Sequence, residues 1–452
     1  MDNITKFKDR MLAENLSDCT IQTFTYYYHQ LLSGEKGKLS KNQITSPESH
    51  QIIDYDSLSE MDTVNLKKLA VIKLNGGLGT SMGLSQAKSL LPVKDNYTFL
   101  DIIAQQTLMM RKNFGIDLPL LFMNSFNTSK DTIEFLSKYP DLILNDLPLD
   151  FIQNKFPKVK KEDYTPLITD IDAQNWNPPG HGDIYGSLVS TGILDKLIKM
   201  GFEYIFVSNS DNLGAVVDPK ILNKLISENI DFAMEVCLRT ENDKKGGHLA
   251  QTKNGKLILR EVAQCPEEET EEFQNIHLYK YFNTNNLWIN LKSLKVLLAE
   301  NNDMIPLPLI LNEKKVDGIP IYQFETAMGS IISLFKNSKA FVVPRNRFLP
   351  VKKNQDLLLL WSDSYELNSD FVLAKKEGAR ETILDLDNEY FGKIDQLKEI
   401  CAAGIPSLFQ CDYLKIDGCV KFGRSLVFKG RVCIKAKNEM LLEDIEISSG
   451  EG

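Results

Sequence analysis

The sequence has no long apolar run, no Cys-x-x-Cys pair, no cluster of histidines and no surplus of positive charge. Each absence removes a class of protein. No stretch of the 452 residues approaches the ~18 apolar positions of a membrane-spanning helix. The N-terminus, MDNITKFKDRMLAEN, is polar throughout and lacks the apolar stretch of a signal peptide. Seven cysteines, an odd number without a CxxC spacing, read as reduced thiols. Together these features predict a cytoplasmic protein. Acidic residues (61) outnumber basic ones (52), a net charge of −9, the opposite sign to a protein that coats nucleic acid. An anionic ligand must therefore be held by a local pocket and not by a global field.

What is present is the composition of an ordinary globular chain, 43% hydrophobic and 25% charged, too long for a single core. Residues 1–60 are polar with helical spacing: Phe7, Met11 and Leu12, then Ile21, Phe24, Tyr28 and Leu31, predict two amphipathic helices. Tyr26-Tyr27-Tyr28 reads as packing. Apolar β-like runs follow at 69–75, 118–124, 204–211, 232–238 and 340–344, with helical stretches at 98–114, 187–200 and 218–228 between them. Strands alternating with helices predict βαβ units and a mostly parallel sheet. From residue 414 the texture changes. Leu414, Val420, Leu426 and Val432 recur every six residues, as do Ile416, Phe422, Phe428 and Ile434. That period is the signature of a β-helix, whose open end can serve as an assembly surface; antiparallel strands with accidental phase are the alternative.

The strongest chemical signal is LNGGLGTSMGLSQAKS, residues 74–89, which follows the first apolar run. Glycines let the backbone approach a ligand, and their N–H groups can cradle phosphate oxygens. The Gly-x4-Gly-Lys spacing of a P-loop is absent, and Gly77-Leu-Gly79 is followed by Gly83, one residue too late for a dinucleotide fingerprint. Lys88, just past the loop, adds a point charge suited to a polyphosphate, although a structural turn and a solvated lysine would read the same way.

This loop resembles the nucleotide signature of the UTP–glucose-1-phosphate uridylyltransferases, or UDP-glucose pyrophosphorylases. Further matches follow collinearly: MNSF (123–126), FIQNKFPK (151–158), NPPGHGDIY (177–185), SNSDNLGA (208–215), KKGGHL (244–249), EVAQ (261–264), FNTNNLW (282–288), QFETAMG (323–329) and RFLPVKK (347–353). Two departures stand out: Gln86-Ala87 where many members have Gly-Pro, and His248, near the expected sugar position, where many have Thr. The resemblance implies an α/β fold with a central nucleotide-binding, mostly parallel sheet flanked by helices and a C-terminal left-handed parallel β-helix. The implied division is a helical region (1–60), a catalytic domain (61–350) and the β-helix (351–452).

The reaction implied is UTP plus glucose 1-phosphate giving UDP-glucose plus pyrophosphate, reversible and dependent on Mg²⁺. Leu74, Asn75, Gly76 and Gly77 would wrap the nucleotide, with Asn209 nearby, and Lys88 would reach its phosphates. Gln153 resembles the residue that pairs with the uracil edge, helped by backbone at Gly180. Met123 could pack on the base. His181 would donate to a phosphate; Gly247, Glu261 and Asn285 resemble the sugar pocket. Asp211, after an apolar strand, is the metal-ligand candidate. Lys352 stands where the family has a second catalytic lysine beside the role given to Lys88; Lys353, Arg345 and Arg347 read equally well as solvated surface. Two alternatives stay open: a pyrophosphorylase with other sugar scope (galactose or N-acetylhexosamine 1-phosphate), and a non-catalytic nucleotide-sugar sensor. No nucleic-acid or membrane partner is expected, and self-association would use the C-terminal β-helix.

Overall fold

The computed structural model describes residues 3–34, 37–59, 62–144 and 146–449. Its centre is one sheet whose main strands, in chain order, are β1 (Ile52–Asp54), β2 (Leu69–Asn75), β3 (Leu120–Asn124), β4 (Asp150–Ile152), β5 (Tyr204–Asn209), β6 (Phe232–Leu238), β7 (Tyr281–Asn290) and β8 (Ser338–Val342). They lie in the order β1-β8-β6-β7-β5-β2-β3-β4. All pairings along this path are parallel except those of β7, which runs against both its neighbours. All seven residues of β2 are buried, because helices cover both faces and an uninterrupted apolar run is what such a strand requires. Apart from the terminal Asn75, Lys73 is the exception in that run. Its amine donates to Ser208 Oγ and the Ala215 carbonyl, both at 2.8 Å, and burial pulls its pKa down to about 7.

The connecting helices begin and end on local signals. Helix Phe99–Phe114 opens on a capping box between Thr98 and Asp101 and closes on Gly115 at φ +61°. The stretch 187–200 is split at Gly192 into Ile184–Ser190 and Ile193–Lys199. Helices also form over Asn3–Ala13 and Asp18–Leu32. The chain enters the sheet well before residue 60, however: Ile44–Thr45 pairs with Gln251 and Thr252, and β1 pairs with β8. The two N-terminal helices bury Phe7, Phe24, Tyr27 and Tyr28 against Phe156, Trp176 and Phe324, so the tyrosine run is packing.

After residue 380 the chain winds through β9 (Ile383–Leu386), β10 (Ser407–Asp417), β11 (Val420–Phe422), β12 (Val427–Lys435), β13 (Met440–Leu442) and β14 (Glu446–Ser448). The pairs β9–β10, β10–β12, β12–β14 and β11–β13 are all parallel. Leu414 lies opposite Val432 and Ile416 opposite Ile434, so residues eighteen apart stack as three six-residue sides complete one turn. Leu414, Val420, Leu426, Val432, Ile416, Phe422 and Phe428 are all buried, and Ile434 is half-buried. One apolar cluster runs without a break from Val71, Ile103 and Phe122 to Leu397, Leu414 and Phe428. Leu426→Ala is accordingly expected to cost about 2–3 kcal/mol in chemical denaturation, the lost transfer energy plus a cavity; a loss below ~0.5 kcal/mol would contradict its inward position.

Candidate active site

The carboxyl ends of β5, β2, β3 and β4 lie side by side, with Asn209 paired to Leu74, Asn75 to Asn124, and Asn124 to Ile152. That edge of an open α/β sheet is where ligands bind. A cavity of about 670 Å³ opens there. Among the residues proposed from sequence, Leu74, Gly76, Gly77, Lys88, Gln153, Gly180, His181, Asn209 and Asp211 all line it, together with Met123.

The loop after β2 turns through Gly79 at φ +67°, where a side chain would be strained. Lys88 N–H donates to the Gly77 carbonyl, folding the loop back on itself. The Lys88 ammonium sits 2.6 Å from Asp211 Oδ2 and also donates to the Val351 carbonyl. Asp211 Oδ1 is buried with no partner among the described residues. The Asp211 backbone in turn accepts Val351 N–H at 3.1 Å, so the 347–353 segment is laced to the metal candidate. Gln153 lies against Gly76, where an added Cβ would meet its Nε2 at 2.5 Å.

The Gly180-His181-Gly182-Asp183 turn is held on both sides. A Cβ on Gly180 would come within 2.7 Å of the Thr326 carbonyl, so only glycine fits. Asp183 accepts from Asn154 N–H (2.6 Å), Asn154 Nδ2 (2.9 Å) and Ser187 Oγ (2.7 Å), tying this turn to the residue after Gln153. Burial raises its pKa to about 6. His181 Nδ1 accepts Met328 N–H at 3.0 Å. That bond puts the proton on Nε2, and burial holds the ring's pKa down to about 4, so a neutral imidazole offers one N–H donor.

Gly247, Glu261 and Asn285 converge at a second place outside the cavity lining. A Cβ on Gly247 would meet Glu261 Oε2 at 2.5 Å; Asn283 N–H donates to the Gly247 carbonyl and Asn283 Nδ2 to Asn285 Oδ1. Burial raises the Glu261 pKa, and Asn283 and Lys352 act against that shift. Lys352 itself does not line the large cavity. Its ammonium lies 5.9 Å from the Phe282 ring centroid, and with Lys353 it borders a cavity of about 240 Å³ that Ser81 and Met82 of the glycine loop share.

Three sequence readings are corrected. Asn75 does not line the cavity: its amide donates to Asn124 Oδ1 and Thr132 Oγ1 and accepts from Ser210, which locks adjacent strand ends together. His248 is fully buried, stacked on Tyr279 at 4.0 Å between centroids, and burial beside Arg239 and Arg260 takes its pKa down to about 3. Arg347 is no surface residue; it makes a two-pronged ion pair with buried Glu235 at 2.6 and 2.8 Å. Arg345, by contrast, is exposed as the surface reading expects, and it forks onto Asp243 at 2.7 and 2.9 Å. Lys158, Trp176, Gln323 and Glu325 also line the cavity and carry no role in the sequence reading, although Lys158 and the 323–325 strand lie in stretches quoted for the resemblance.

A mostly parallel sheet with a glycine loop, a lysine and a carboxylate at its carboxyl edge defines a nucleotide-binding α/β protein, and comparison with known proteins narrows this. The family model for UTP–glucose-1-phosphate uridylyltransferase matches residues 21–429. The protein of that name from Musa acuminata is 42% identical over 422 residues, covering 91% of this chain and 89% of its own length. A probable UTP–glucose-1-phosphate uridylyltransferase from Schizosaccharomyces pombe is 39% identical, covering 92% and 83%. A point variant of UDP-glucose pyrophosphorylase from Leishmania major, solved in complex with UDP-glucose, superposes with a TM-score of 0.91 at 39% identity over 99% of both chains. The chain belongs to the UTP–glucose-1-phosphate uridylyltransferase family.

Proposed function

We propose that this chain joins UTP and glucose 1-phosphate to give UDP-glucose and pyrophosphate, reversibly. The observation that carries the reading is the convergence of Lys88, Asp211, His181, Gln153 and the glycine loop on one cavity at the sheet's carboxyl edge. The uracil lies at the Gln153–Gly180 end and the phosphates beside the glycine loop and Lys88. The sugar-phosphate oxygen attacks the α-phosphorus of UTP in line with the departing pyrophosphate. A phosphate with a second pKa near 6 is already anionic at neutral pH, so no general base is needed. The work of the site is to bring polyanions together and stabilise charge as the phosphoryl group transfers. Lys88 supplies charge, His181 a neutral Nε2–H donor, and the loop its backbone N–H groups. Lys352, which borders the Ser81–Met82 side of the loop, would be the second cation.

Asp211 suits Mg²⁺, because its Oδ1 is buried and unpartnered while Oδ2 is held by Lys88. Among the described residues no group of three His, Cys, Asp or Glu could complete a cage, so substrate phosphates would provide the other ligands. When bound, the ion would neutralise phosphate charge. The glucosyl group would meet Gly247, Glu261 and Asn285. We further read the C-terminal coil as a left-handed β-helix, a reading its parallel ladder supports, and as the surface for any self-association. The same reading divides the chain into a helical N-terminal region, a catalytic domain and this coil, in a cytoplasmic enzyme. No helix among the described residues is long and apolar enough to cross a membrane.

The test is pyrophosphate release from UTP with a panel of sugar 1-phosphates, with and without Mg²⁺. Release is expected to be fastest with glucose 1-phosphate and to need the metal. Equal rates with galactose or N-acetylhexosamine 1-phosphate would replace the reading by a broader one. UDP-glucose binding without any release would make the protein a sensor.

A further inference from the structure

Four lysines lie between residues 155 and 160–161, and three are paired: Lys155 with Glu14, Lys160 with Asp163 and Lys161 with Glu313. Lys158 is different. It is 9% exposed, it lines the nucleotide cavity, and its ammonium has no hydrogen bond or ion pair with any described residue. Its backbone is pinned, the N–H donating to the Asn175 carbonyl and its own carbonyl accepting Leu167 N–H. Burial lowers the pKa of the amine, and no carboxylate offsets that loss. Burying most of a lysine whose ammonium has no protein partner is costly unless a ligand supplies an acceptor.

Its place in the fold says which part of the ligand that is. Asp211 follows β5, whereas Gln153 and Lys158 follow β4, three strands away along β5-β2-β3-β4. Lys158 lies five residues beyond Gln153 on the same segment, and its backbone bond to Asn175 sets it beside the Trp176–Gly180 stretch that lines the cavity at the base end. The acceptors of a uracil ring are its two carbonyls. The Gln153 amide and backbone at Gly180 cover N3–H and only part of the carbonyl lone pairs, leaving acceptor capacity on the ring for another donor.

We propose that Lys158 is a second reader of the base, donating to uracil O4 and thereby rejecting cytosine nucleotides. The inference rests on the nucleotide reading given above. Cytosine carries an amino group in place of O4, so the ammonium would face two donor hydrogens and both groups would be left unpaired. Thymine keeps the carbonyl and would be tolerated by this contact. Lys158 is on this reading a specificity-determining residue, with no part in the chemical step.

The experiment measures steady-state rates with UTP and CTP, and calorimetric binding of UDP and CDP, for wild type, Lys158→Met, Lys158→Gln and Lys158→Arg. Lys158→Met is expected to raise the KM for UTP and the Kd for UDP about tenfold or more, with kcat nearly unchanged. The UTP-to-CTP ratio of kcat/KM and the UDP-to-CDP binding ratio should fall by a similar factor, and Lys158→Arg should restore them in part. Should the Met variant fail to fold, Lys158→Gln answers the same question with a polar side chain of similar reach. An unchanged uracil-to-cytosine ratio in a folded variant overturns the proposal, even if UTP binding weakens. Wild-type protein that binds no UDP overturns the underlying nucleotide reading and this proposal with it.

Discussion

Asp211→Asn is expected to lower kcat about 10²–10³-fold, with no comparable change in stability. The substitution keeps the size and one oxygen of the side chain, and the bond from Val351 N–H to residue 211 uses the backbone, so the local fold should survive. What it removes is charge. The carboxylate now pairs with the Lys88 ammonium at 2.6 Å and presents a second, unpartnered oxygen to the cavity. An amide would put an N–H₂ or a weaker acceptor at one of those two positions. The lysine would lose its counter-charge, and a bound Mg²⁺ would lose the carboxylate proposed to hold it. Pyrophosphate release and thermal melting on the same purified variant check this. Turnover within about threefold of wild type would remove Asp211 from the machinery, since that is less than 1 kcal/mol in barrier.

Arg347→Met is expected to destabilise the protein by about 3–5 kcal/mol, because it leaves the Glu235 carboxylate buried without its cation. Glu235 is fully buried and receives Arg347 Nη2 and Nε, Trp288 Nε1 at 2.9 Å and Asn286 Nδ2 at 3.1 Å. The arginine also lies 3.6 Å from Asp218 and donates to the Val216 carbonyl. Its own carbonyl accepts from Asn212 and Asn286, and Leu349 N–H reaches back to Asn212 Oδ1. The pair thus anchors the start of the segment that carries Lys352. Adding Glu235→Leu to the same chain should recover part of the loss and not all of it, because Trp288 and Asn286 would then lack an acceptor. Denaturant unfolding of the single and double variants measures both effects. A single-variant loss under ~1 kcal/mol, or a double variant less stable than Arg347→Met, would contradict the network.

Elements and edges were legible in the sequence where the pattern is local. LAVIKLN, YIFVSN and FAMEVCL are strands because short, largely apolar runs rich in β-branched and aromatic residues favour them. The six-residue ladder after Leu414 was legible for the same reason, since its period repeats along the chain. Glycine-loop and turn residues announced themselves by composition. Residues whose role depends on distant partners did not. Arg347 and Glu235 are 112 positions apart, and nothing beside either one signals that the arginine is buried. His248 looked like a sugar-side residue because it follows Gly247 in a stretch that resembles the sugar pocket, but it begins a strand whose adjacent side chains turn to opposite faces, and it is buried. Asn75 ends the strand that opens the cavity, yet its side chain points at Asn124 and Thr132. Lys158 stood unnoticed among four lysines that only their partners tell apart.

The apolar cluster that joins Val71 and Phe122 to Leu414 and Phe428 bears on how the chain comes apart. Pulling the coil from the sheet would bare apolar faces of both to water, at ~25 cal/mol for each Å² exposed. Because one apolar cluster spans both, heat or denaturant meets this side of the sheet and the coil as one cooperative unit. A lesion deep in the coil, such as one at Leu426, is then felt at the glycine loop some 340 residues earlier in the chain as a shallower well for the whole fold. The substrate cleft and the coil are lost together.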